Sequence, residues 1–226
     1  MTDSNAPKIV GVIFSWADLQ RALRMRNPPG LFELRLDALT AKRDEVEATL
    51  ADLPAPLIIT ARHPCEGGLN QLSARKRQIL LRRFLPHAAY VDIELRSVDK
   101  SAPVLAEARA KGVRTIISFH DFNETPSRRR LDEIARAARS WGVDLLKIAT
   151  RTDTQAQLSR LLEFFLETSL QIPMAAMGIG RLGRTARRQF LKQGSILNYV
   201  HLGRTGIAGQ PSLSEIRRWM AARENV

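Results

Sequence analysis

The chain is poor in cysteine, in lysine and in long apolar runs, and each shortage narrows what the protein can be. Its single cysteine, Cys65, excludes an internal disulfide and is typical of a reducing cytoplasm. No run approaches the ~18 consecutive apolar residues that a membrane helix needs. The polar segment 1–7 lacks the basic and then apolar pattern of an export signal. We therefore expect a cytoplasmic protein without a membrane-spanning helix.

Basic residues outnumber acidic ones by 35 to 23, which gives the chain a formal net charge of +12. Such a charge raises the hypothesis of a nucleic-acid partner. The arginines are scattered, however, and the densest run, Arg128-Arg129-Arg130, begins a predicted helix without aromatic residues that could stack on bases. The distribution favours solvated helix faces, and its field would attract a small anionic substrate. A non-catalytic protein that binds an acidic partner through this charge stays open as an alternative.

Strand-like apolar runs alternate with amphipathic helical stretches along the 226 residues, with no linker between them. The eight predicted strands are Ile9–Phe14, Leu31–Leu36, Leu57–Ala61, Tyr90–Leu95, Thr115–Phe119, Leu145–Ala149, Pro173–Met177 and Ile196–Leu202. Eight strands that alternate with eight helices favour an α/β fold, a single closed (β/α)8 TIM barrel. We place this barrel at residues 8–226, after a flexible N-terminus at residues 1–7. An open doubly wound sheet is the structural alternative.

Several predicted helices have recognisable first turns. Ser15, Thr154 and Ser212 each precede an acidic or amide side chain by three residues, which is the spacing of a capping box. Thr125 offers an N-cap that is followed by Pro126 at the first helical position. These signals predict where four of the helices begin.

One of the few lysines stands in an unusual place. The chain has seven lysines against 28 arginines, and Lys147 lies within Asp144-Leu145-Leu146-Lys147-Ile148-Ala149, an apolar run typical of a buried strand. An ammonium group is rarely placed in a dry strand unless it is paired or neutralised. Desolvation favours the free amine, which can attack a carbonyl and form a Schiff base. A lysine that a core carboxylate merely holds in place is the alternative.

Charged side chains gather where the predicted strands end, which is where barrel enzymes carry their reactive groups. Glu33, Arg35 and Asp37 alternate along the second strand and therefore point to one side. Later strands add Arg62, Asp92, Glu94, His120 and Lys147. So many charges at one end favour a reactive site over packing, with Lys147 as the nucleophile. His120, whose pKa we expect near neutrality, is the natural proton carrier beside it.

Together these motifs resemble type I 3-dehydroquinate dehydratase in order and spacing over nearly the whole chain. The matching stretches are Glu33-Leu34-Arg35-Leu36-Asp37, Thr60-Ala61-Arg62-His63-Pro64-Cys65-Glu66-Gly67-Gly68, Asp92-Ile93-Glu94-Leu95, Ser118-Phe119-His120-Asp121-Phe122 with Thr125-Pro126, and Asp144-Leu145-Leu146-Lys147-Ile148-Ala149. The resemblance implies a (β/α)8 barrel and a hydro-lyase that converts 3-dehydroquinate to 3-dehydroshikimate without a metal or an organic cofactor. Such an enzyme serves shikimate synthesis or quinate breakdown, and the family often forms homodimers.

The resemblance also implies a role for each site residue. Lys147 would form an imine with the C3 ketone, while His120 removes a C2 proton and helps to expel the C1 hydroxyl as water. Glu66 would orient His120. The substrate hydroxyls would be bound by Glu33, Arg35 and Arg62, the substrate carboxylate would be gripped by Arg187, and the closing loop would contribute Gln210.

The C-terminal third departs from the family pattern. Ala186 replaces the usual serine before Arg187, and the closing loop, which normally reads Ser-Ala-Pro-Gly-Gln, is Gly206-Ile207-Ala208-Gly209-Gln210 here. The glycine at position 206 removes one side-chain contact to the substrate, unless Thr205 or Ser212 replaces it.

A second motif allows a different interpretation. Gly178-Ile179-Gly180-Arg181-Leu182-Gly183 spells the dinucleotide fingerprint G-x-G-x-x-G, but the next predicted strand lacks the acidic ribose partner, so we expect no nicotinamide cofactor. Barrels often bind phosphate after strands seven and eight, so a Schiff-base aldolase that acts on a sugar phosphate through Lys147 is the alternative function. We expect no metal site, place Met177 in the pocket wall and assign Cys65 to packing.

Overall fold

The computed structural model of the chain describes residues 7–168, 172–203 and 207–224. Within them, eight strands alternate with eight α-helices. The strands are β1 (Lys8–Ile13), β2 (Leu31–Arg35), β3 (Leu57–Thr60), β4 (Tyr90–Glu94), β5 (Arg114–Asp121), β6 (Leu145–Arg151), β7 (Met174–Ile179) and β8 (Leu197–His201). The helices are α1 (Trp16–Leu23), α2 (Arg43–Ala48), α3 (Ala74–Phe84), α4 (Ala102–Ala110), α5 (Arg128–Ser140), α6 (Gln155–Glu167), α7 (Gly183–Lys192) and α8 (Leu213–Glu224). All eight predicted strands are present, close to their expected bounds.

Two expectations concern other parts of the chain. The predicted flexible N-terminus, residues 1–7, lies outside the described residues except for Pro7. No helix in the described part of the chain is long and apolar enough to cross a membrane.

The strands form one parallel sheet whose two ends nearly meet. Their order is β7-β6-β5-β4-β3-β2-β1-β8, so that β1 pairs with both β2 and β8. Between β8 and β7, the Ile196 amide donates to the Met174 carbonyl at 3.1 Å, and the Ala176 amide donates to Ser195 Oγ at 3.2 Å. The sheet is therefore a nearly closed barrel, which confirms the predicted (β/α)8 fold. The open doubly wound alternative is wrong.

Alternate side chains of each strand serve two separate cores, as the period of a strand requires. On β2, Phe32 and Leu34 point outward and belong to the core between strands and helices, together with Phe84 and Phe164. A smaller apolar cluster lies inside the barrel, and near the beginnings of the strands it contains Val10, Leu31, Ile58, Tyr90, Ile116 and Leu145. This cluster fills the lower end of the barrel, so the charged residues occupy the end where the strands finish.

Three of the four predicted helix starts are confirmed. The side chain of Ser15 accepts from the Asp18 amide at 3.1 Å, and Ser212 accepts from the Glu215 amide at 3.2 Å. Thr154 forms a complete capping box with Gln157 at the start of α6. These contacts satisfy amides that the first turn of a helix leaves without an intrahelical partner.

The fourth predicted start, at Thr125-Pro126, is wrong. Helix α5 begins at Arg128, and the side chain of Ser127 accepts from the Arg130 amide at 3.3 Å. The Thr125 hydroxyl instead lies 3.0 Å from the hydroxyl of Thr150 and donates to the carbonyl of Arg151. A buried tertiary contact has taken the hydroxyl that the local pattern assigned to the cap.

Candidate active site

A cavity of about 400 Å³ opens at the carboxyl ends of the strands. Its walls contain all eight residues that the sequence predicted for the site: Glu33, Arg35, Arg62, Glu66, His120, Lys147, Arg187 and Gln210. Met177 lines the cavity, as expected. Cys65 does not serve packing: it is exposed on the short 3₁₀ turn after β3, which corrects that expectation. The site is therefore one pocket, built from residues that lie far apart in the sequence.

The amine of Lys147 lies deep in this pocket. Lys147 stands on β6 between Ser118 of β5 and Ala175 of β7, and only 4% of its side chain is exposed. Its Nζ is 2.8 Å from Oδ2 of Asp92 and 3.2 Å from Oε1 of Glu33. The lysine is thus held by core carboxylates, as the alternative interpretation required. It also lines the cavity, so that a ligand can reach it.

Arg62 lies among the same carboxylates. Its Nη1 donates to Asp92 and Glu94 at 3.1 Å each and to Ser118 Oγ at 2.6 Å, and its Nη2 donates to Asp92 at 2.9 Å. Burial alone would lower the pKa of Arg62, but the three carboxylates of Asp92, Glu94 and Glu33 hold it well above the usual value. Arg62 therefore keeps its charge and fixes the carboxylates around Lys147.

The charge on Asp92 follows from the same contacts. Burial would raise the pKa of its carboxyl group, but the positive charges of Arg62 and Lys147 hold the pKa well below the usual range. Asp92 is therefore an anion at neutral pH, and it places a negative charge beside the Lys147 amine.

Arg35 is anchored by Asp37, a residue for which the sequence pattern predicted no role. Two nitrogens of Arg35 donate to the two oxygens of Asp37 at 2.9 Å each, and Nη2 also donates to the carbonyl of Gly67 at 3.0 Å. Asp37 further accepts from the amides of Arg62 at 3.1 Å and Leu69 at 2.9 Å. One carboxylate thus ties β2 to the loop after β3, the loop that carries Glu66. In the sequence, the signal for this role is the alternation of Asp37 with Glu33 and Arg35.

His120 and Glu66 form a hydrogen-bonded pair. The Nδ1 atom of His120 is 2.9 Å from Oε2 of Glu66, and the same oxygen accepts from the His120 amide at 3.0 Å. On its other side, Oε1 of Glu66 is 3.5 Å from Nε of Arg96. Since Nδ1 is engaged with Glu66, Nε2 is the ring nitrogen left for a substrate proton.

Burial disfavours a charge on either member of this pair. It lowers the pKa of His120 well below 6.5, and the positive charges of Arg62 and Lys147 lower it further. Burial raises the pKa of Glu66 from 4.5 to about 7. The expected pKa near neutrality is thus wrong for His120, because it did not include desolvation and two nearby cations. A neutral imidazole at neutral pH is the form that can accept a proton.

Arg187 differs from the other buried cations in its partners. It lies on α7, where Nε donates to the carbonyl of Gly178 at 3.1 Å and Nη1 donates to the carbonyl of Tyr199 at 3.3 Å. No carboxylate within residues 7–168, 172–203 and 207–224 forms an ion pair with it, and burial lowers its pKa to about 10. A buried guanidinium that faces only carbonyl groups can still bind a carboxylate ligand.

Of the predicted closing loop, residues 206–210, the structure describes residues 207–210. Gln210 is buried, its amide donates to the carbonyl of Ile207 at 3.1 Å, and both side chains line the cavity. Thr205 and Gly206 lie outside the described residues. Ser212, proposed above as a replacement for the missing serine, caps α8 and lies 3.0 Å from Ser214. It does not line the cavity, so that expectation is wrong.

The glycine-rich segment after β7 is not arranged to cradle a phosphate. Its backbone amides already have partners: Gly180 donates to the Ala208 carbonyl at 3.0 Å, Arg181 to Asp153 Oδ1 at 2.6 Å, Leu182 to the Thr152 carbonyl at 2.8 Å and Gly183 to the Gly180 carbonyl at 3.0 Å. Gly180 has a φ of +97°, where a side chain would be strained and would meet Asp153. The glycines serve close backbone packing at the mouth of the barrel. Within the described residues, no group of three or more His, Cys, Asp or Glu side chains could hold a metal ion.

A nearly closed (β/α)8 barrel with its charged cavity at the carboxyl ends of the strands has the architecture of a barrel enzyme. The family model of type I 3-dehydroquinase matches residues 10–225. The 3-dehydroquinate dehydratase of Pyrococcus abyssi is 32% identical over 189 residues, which cover 83% of this chain and 84% of that protein. The chain therefore belongs to the type I 3-dehydroquinase family, and it is an enzyme of the hydro-lyase class.

Solved structures support the fold. The 3-dehydroquinate dehydratase of Geobacillus kaustophilus superposes with a TM-score of 0.85 at 23% identity, covering 97% of this chain and 91% of that one. The type I enzyme of Clostridium difficile superposes with a TM-score of 0.83 at 22% identity, covering 98% and 94%.

Proposed function

We propose that the protein dehydrates 3-dehydroquinate to 3-dehydroshikimate through an imine on Lys147. The observation that carries the proposal is the Lys147 amine, which is 4% exposed, lines the cavity and stands one strand away from the His120–Glu66 pair. Family membership supports the reaction, and the geometry supports the role of each residue.

Substrate binding uses the positive charge that the pocket leaves available. Arg187, which faces only carbonyl groups among the described residues, would receive the substrate carboxylate. Gln210 lines the cavity at the closing segment and would contribute a neutral hydrogen bond. Glu33, Arg35 and Arg62 would face the substrate hydroxyls from β2 and β3. These contacts would place the C3 ketone at the Lys147 amine.

Imine formation keeps the positive charge where the pocket already stabilises one. The Lys147 ammonium loses one proton, which frees the electron pair that bonds Nζ to C3. It loses a second proton as the carbonyl oxygen leaves with both protons as water, and the product is a protonated imine. The iminium nitrogen then carries the charge that the ammonium carried, beside Asp92 and Glu33. This cation draws electrons from C2 and makes its proton acidic.

Proton transfer is the task of His120. Its neutral imidazole accepts the C2 proton, and the electron pair moves into the enamine. The C1 hydroxyl then leaves with a proton from His120 as water, which forms the C1–C2 double bond and restores the iminium. Hydrolysis of the imine by one water releases 3-dehydroshikimate and the Lys147 ammonium. Glu66 would hold the His120 ring in place throughout.

Borohydride reduction tests the proposal. Added with 3-dehydroquinate, it should leave a stable adduct on Lys147 that a peptide mass spectrum identifies. The Lys147→Ala variant should lose turnover and labelling, whereas the matched Lys100→Ala variant, which changes an exposed lysine, should keep both. An unmodified Lys147 in an enzyme that turns over would refute the imine mechanism.

The alternative function, a sugar-phosphate aldolase, shares the lysine but needs a phosphate site. The amides after β7 that would form one already have partners within the chain. The same trapping experiment with a sugar phosphate in place of 3-dehydroquinate should give no adduct.

We also propose a location and an assembly for the enzyme. We place the enzyme in the cytoplasm because its single, exposed cysteine suits a reducing compartment. A homodimer is the assembly expected from the family, and analytical ultracentrifugation measures it.

A further inference from the structure

The last residue of β8 lies in the cavity wall and has no part in the chemistry above. His201 lines the same cavity as Lys147 and Arg187. Side chains alternate along a strand, so His201 lies on the same face as Tyr199. The ring centre of Tyr199 is 4.1 Å from Lys147 Nζ. His201 is therefore one inward position nearer to the cavity mouth than the ring that faces the Lys147 amine.

The backbone of His201 is held in place on two sides. Its amide donates to the carbonyl of Pro211 at 3.1 Å, and across the sheet it pairs with Val12 of β1, which also lines the cavity. A side chain on a regular strand is positioned more accurately than one on a loop. The Pro211 contact also places His201 next to the segment that carries Gln210.

One ring nitrogen of His201 lacks a partner. Nδ1 is buried, and no hydrogen-bond partner for it exists within the described ranges. A buried polar atom without a partner is unfavourable, so such atoms call for an explanation. Nε2 is not covered in this way, so a substrate in the cavity can contact the ring there, and the ring orientation that offers Nε2 leaves Nδ1 without a partner. An imidazole nitrogen donates or accepts according to its tautomer.

Arg187 indicates which substrate group comes near His201. The guanidinium of Arg187 donates to the carbonyl of Tyr199, two residues before His201 on the same strand. The anion that Arg187 would bind therefore lies close to the end of β8. A carboxylate offers about four acceptor positions, more than one arginine fills when its Nε and Nη1 already donate to carbonyl groups.

We propose that His201 donates a hydrogen bond to the substrate carboxylate beside Arg187. The inference rests on the proposed function, because it assumes that a carboxylate is bound at Arg187. His201 would supply the kind of side-chain contact that Gly206, which stands where the family has serine, cannot make. It is a substrate-binding residue with no role in proton transfer.

The His201→Ala variant tests this role through the division of its effect between KM and kcat. Loss of a hydrogen bond to a charged group should raise KM by ~10- to 100-fold. The value of kcat should change little, because the bond is present both in the bound substrate and in the transition state. The control is His87→Ala, which changes a histidine that does not line the cavity and should leave both constants as in the wild type. An unchanged KM in a folded His201→Ala enzyme overturns the inference.

A second measurement separates direct contact from a structural effect. The carboxamide analogue of 3-dehydroquinate lacks the anion, so His201→Ala should lower kcat/KM much less for the amide than for the carboxylate. Equal losses for both compounds overturn the proposal.

If the alanine variant does not fold, two other variants test the same role. His201→Gln, which keeps a donor, should bind the acid better than His201→Leu, and equal affinities would overturn the proposal. If the wild-type enzyme turns over 3-dehydroquinate but the His201 variants do not show these differences, the inference about His201 is refuted and the proposed function stands. If the wild-type enzyme does not turn over 3-dehydroquinate, the proposed function is refuted as well.

Discussion

Nζ of Lys147 lies 2.8 Å from Oδ2 of Asp92, and the same carboxylate accepts two hydrogen bonds from Arg62. The Asp92→Asn variant would remove the closer of the two buried anions that these cations share, the other being Glu33. We expect a loss of ~3–5 kcal/mol in the free energy of unfolding, the usual effect of breaking a buried ion pair on one side. Urea denaturation measures it.

The matched control for this variant is Glu45→Gln. Glu45 accepts from Lys42 at 3.1 Å, but both side chains are largely exposed, so solvent screens the pair and its loss should matter by less than ~1 kcal/mol. Equal losses in the two variants would show that Asp92 does not stabilise the buried cations. Activity should fall only for Asp92→Asn.

The His120–Glu66 pair sets the pH dependence of catalysis. Because burial raises the pKa of Glu66 to about 7, its carboxyl group ionises as the pH rises through neutrality. The carboxylate then accepts the Nδ1 proton of His120 and makes Nε2 a stronger base. His120 itself is neutral over this range, since its pKa lies well below 6.5. We therefore expect kcat/KM to rise with pH through about 7.

Glu66→Gln removes this titration and provides the test. Its kcat/KM should be lower than in the wild type at pH 8 and nearly independent of pH across the neutral range. A wild-type rise that persists in Glu66→Gln would have to come from another group. The control is Glu133→Gln, which changes a partly exposed carboxylate on the outer side of α5 and should keep the wild-type profile.

We expect Arg187 to lower the stability of the fold and to strengthen the binding of the substrate carboxylate. Its guanidinium is buried without a carboxylate partner in the described part of the chain, and burial lowers its pKa to about 10. The Arg187→Met variant keeps an unbranched side chain and removes the desolvated charge, so thermal unfolding should show an equal or higher Tm. Its KM for 3-dehydroquinate should rise ~10- to 100-fold or more.

Arg184→Met serves as the comparison for Arg187→Met. Arg184 lies one turn earlier on α7, is mostly exposed and pairs with Glu215 at 2.9 Å. We expect its KM to match the wild type. If Arg187→Met lowers the Tm and leaves KM unchanged, Arg187 is a structural residue and another cation binds the carboxylate.

The fold and most of the site followed from local pattern. Period-two alternation placed Glu33 and Arg35 on the inner face of β2 and its apolar neighbours on the outer face, and this arrangement needs no knowledge of other strands. Apolar runs separated by helix caps were enough to predict a barrel. All eight predicted site residues line one cavity because parallel strands in a barrel finish at the same end.

What sequence reasoning missed depends on contacts between distant residues. The pKa of His120 could not be predicted from its neighbours in the sequence. It is lowered by the positive charges of Arg62, which follows β3, and of Lys147 on β6. The hydroxyl of Thr125, in the loop after β5, was assigned to a cap, but it is buried against Thr150 on β6. In the sequence, Asp37 looked like one more charge on the second strand. The structure shows that its carboxylate accepts four hydrogen bonds, two from Arg35 and two from the amides of Arg62 and Leu69 in the loop that folds over it.

Tyr199 separates the contributions of an aromatic ring and of a hydroxyl. Its ring centre lies 4.1 Å from Lys147 Nζ, while its hydroxyl is buried without a hydrogen-bond partner among the described residues. The face of the ring stabilises a cation, whether ammonium or iminium, by up to ~2 kcal/mol when water is excluded. The unpaired hydroxyl lowers stability, since it loses water and gains no partner.

Tyr199→Phe should therefore keep the wild-type kcat and raise the free energy of unfolding by ~1 kcal/mol, because it removes only the unpaired group. Tyr199→Leu also removes the ring, which stabilises the ammonium of the free enzyme and the iminium alike. It should therefore lower the free energy of unfolding by up to ~2 kcal/mol relative to Tyr199→Phe and change kcat/KM little. Both variants keep the backbone carbonyl that accepts from Arg187, so that contact does not distinguish them. A phenylalanine variant as destabilised as the leucine variant would assign the effect to the hydroxyl. A leucine variant as stable as the phenylalanine variant would show that the ring does not stabilise the Lys147 cation.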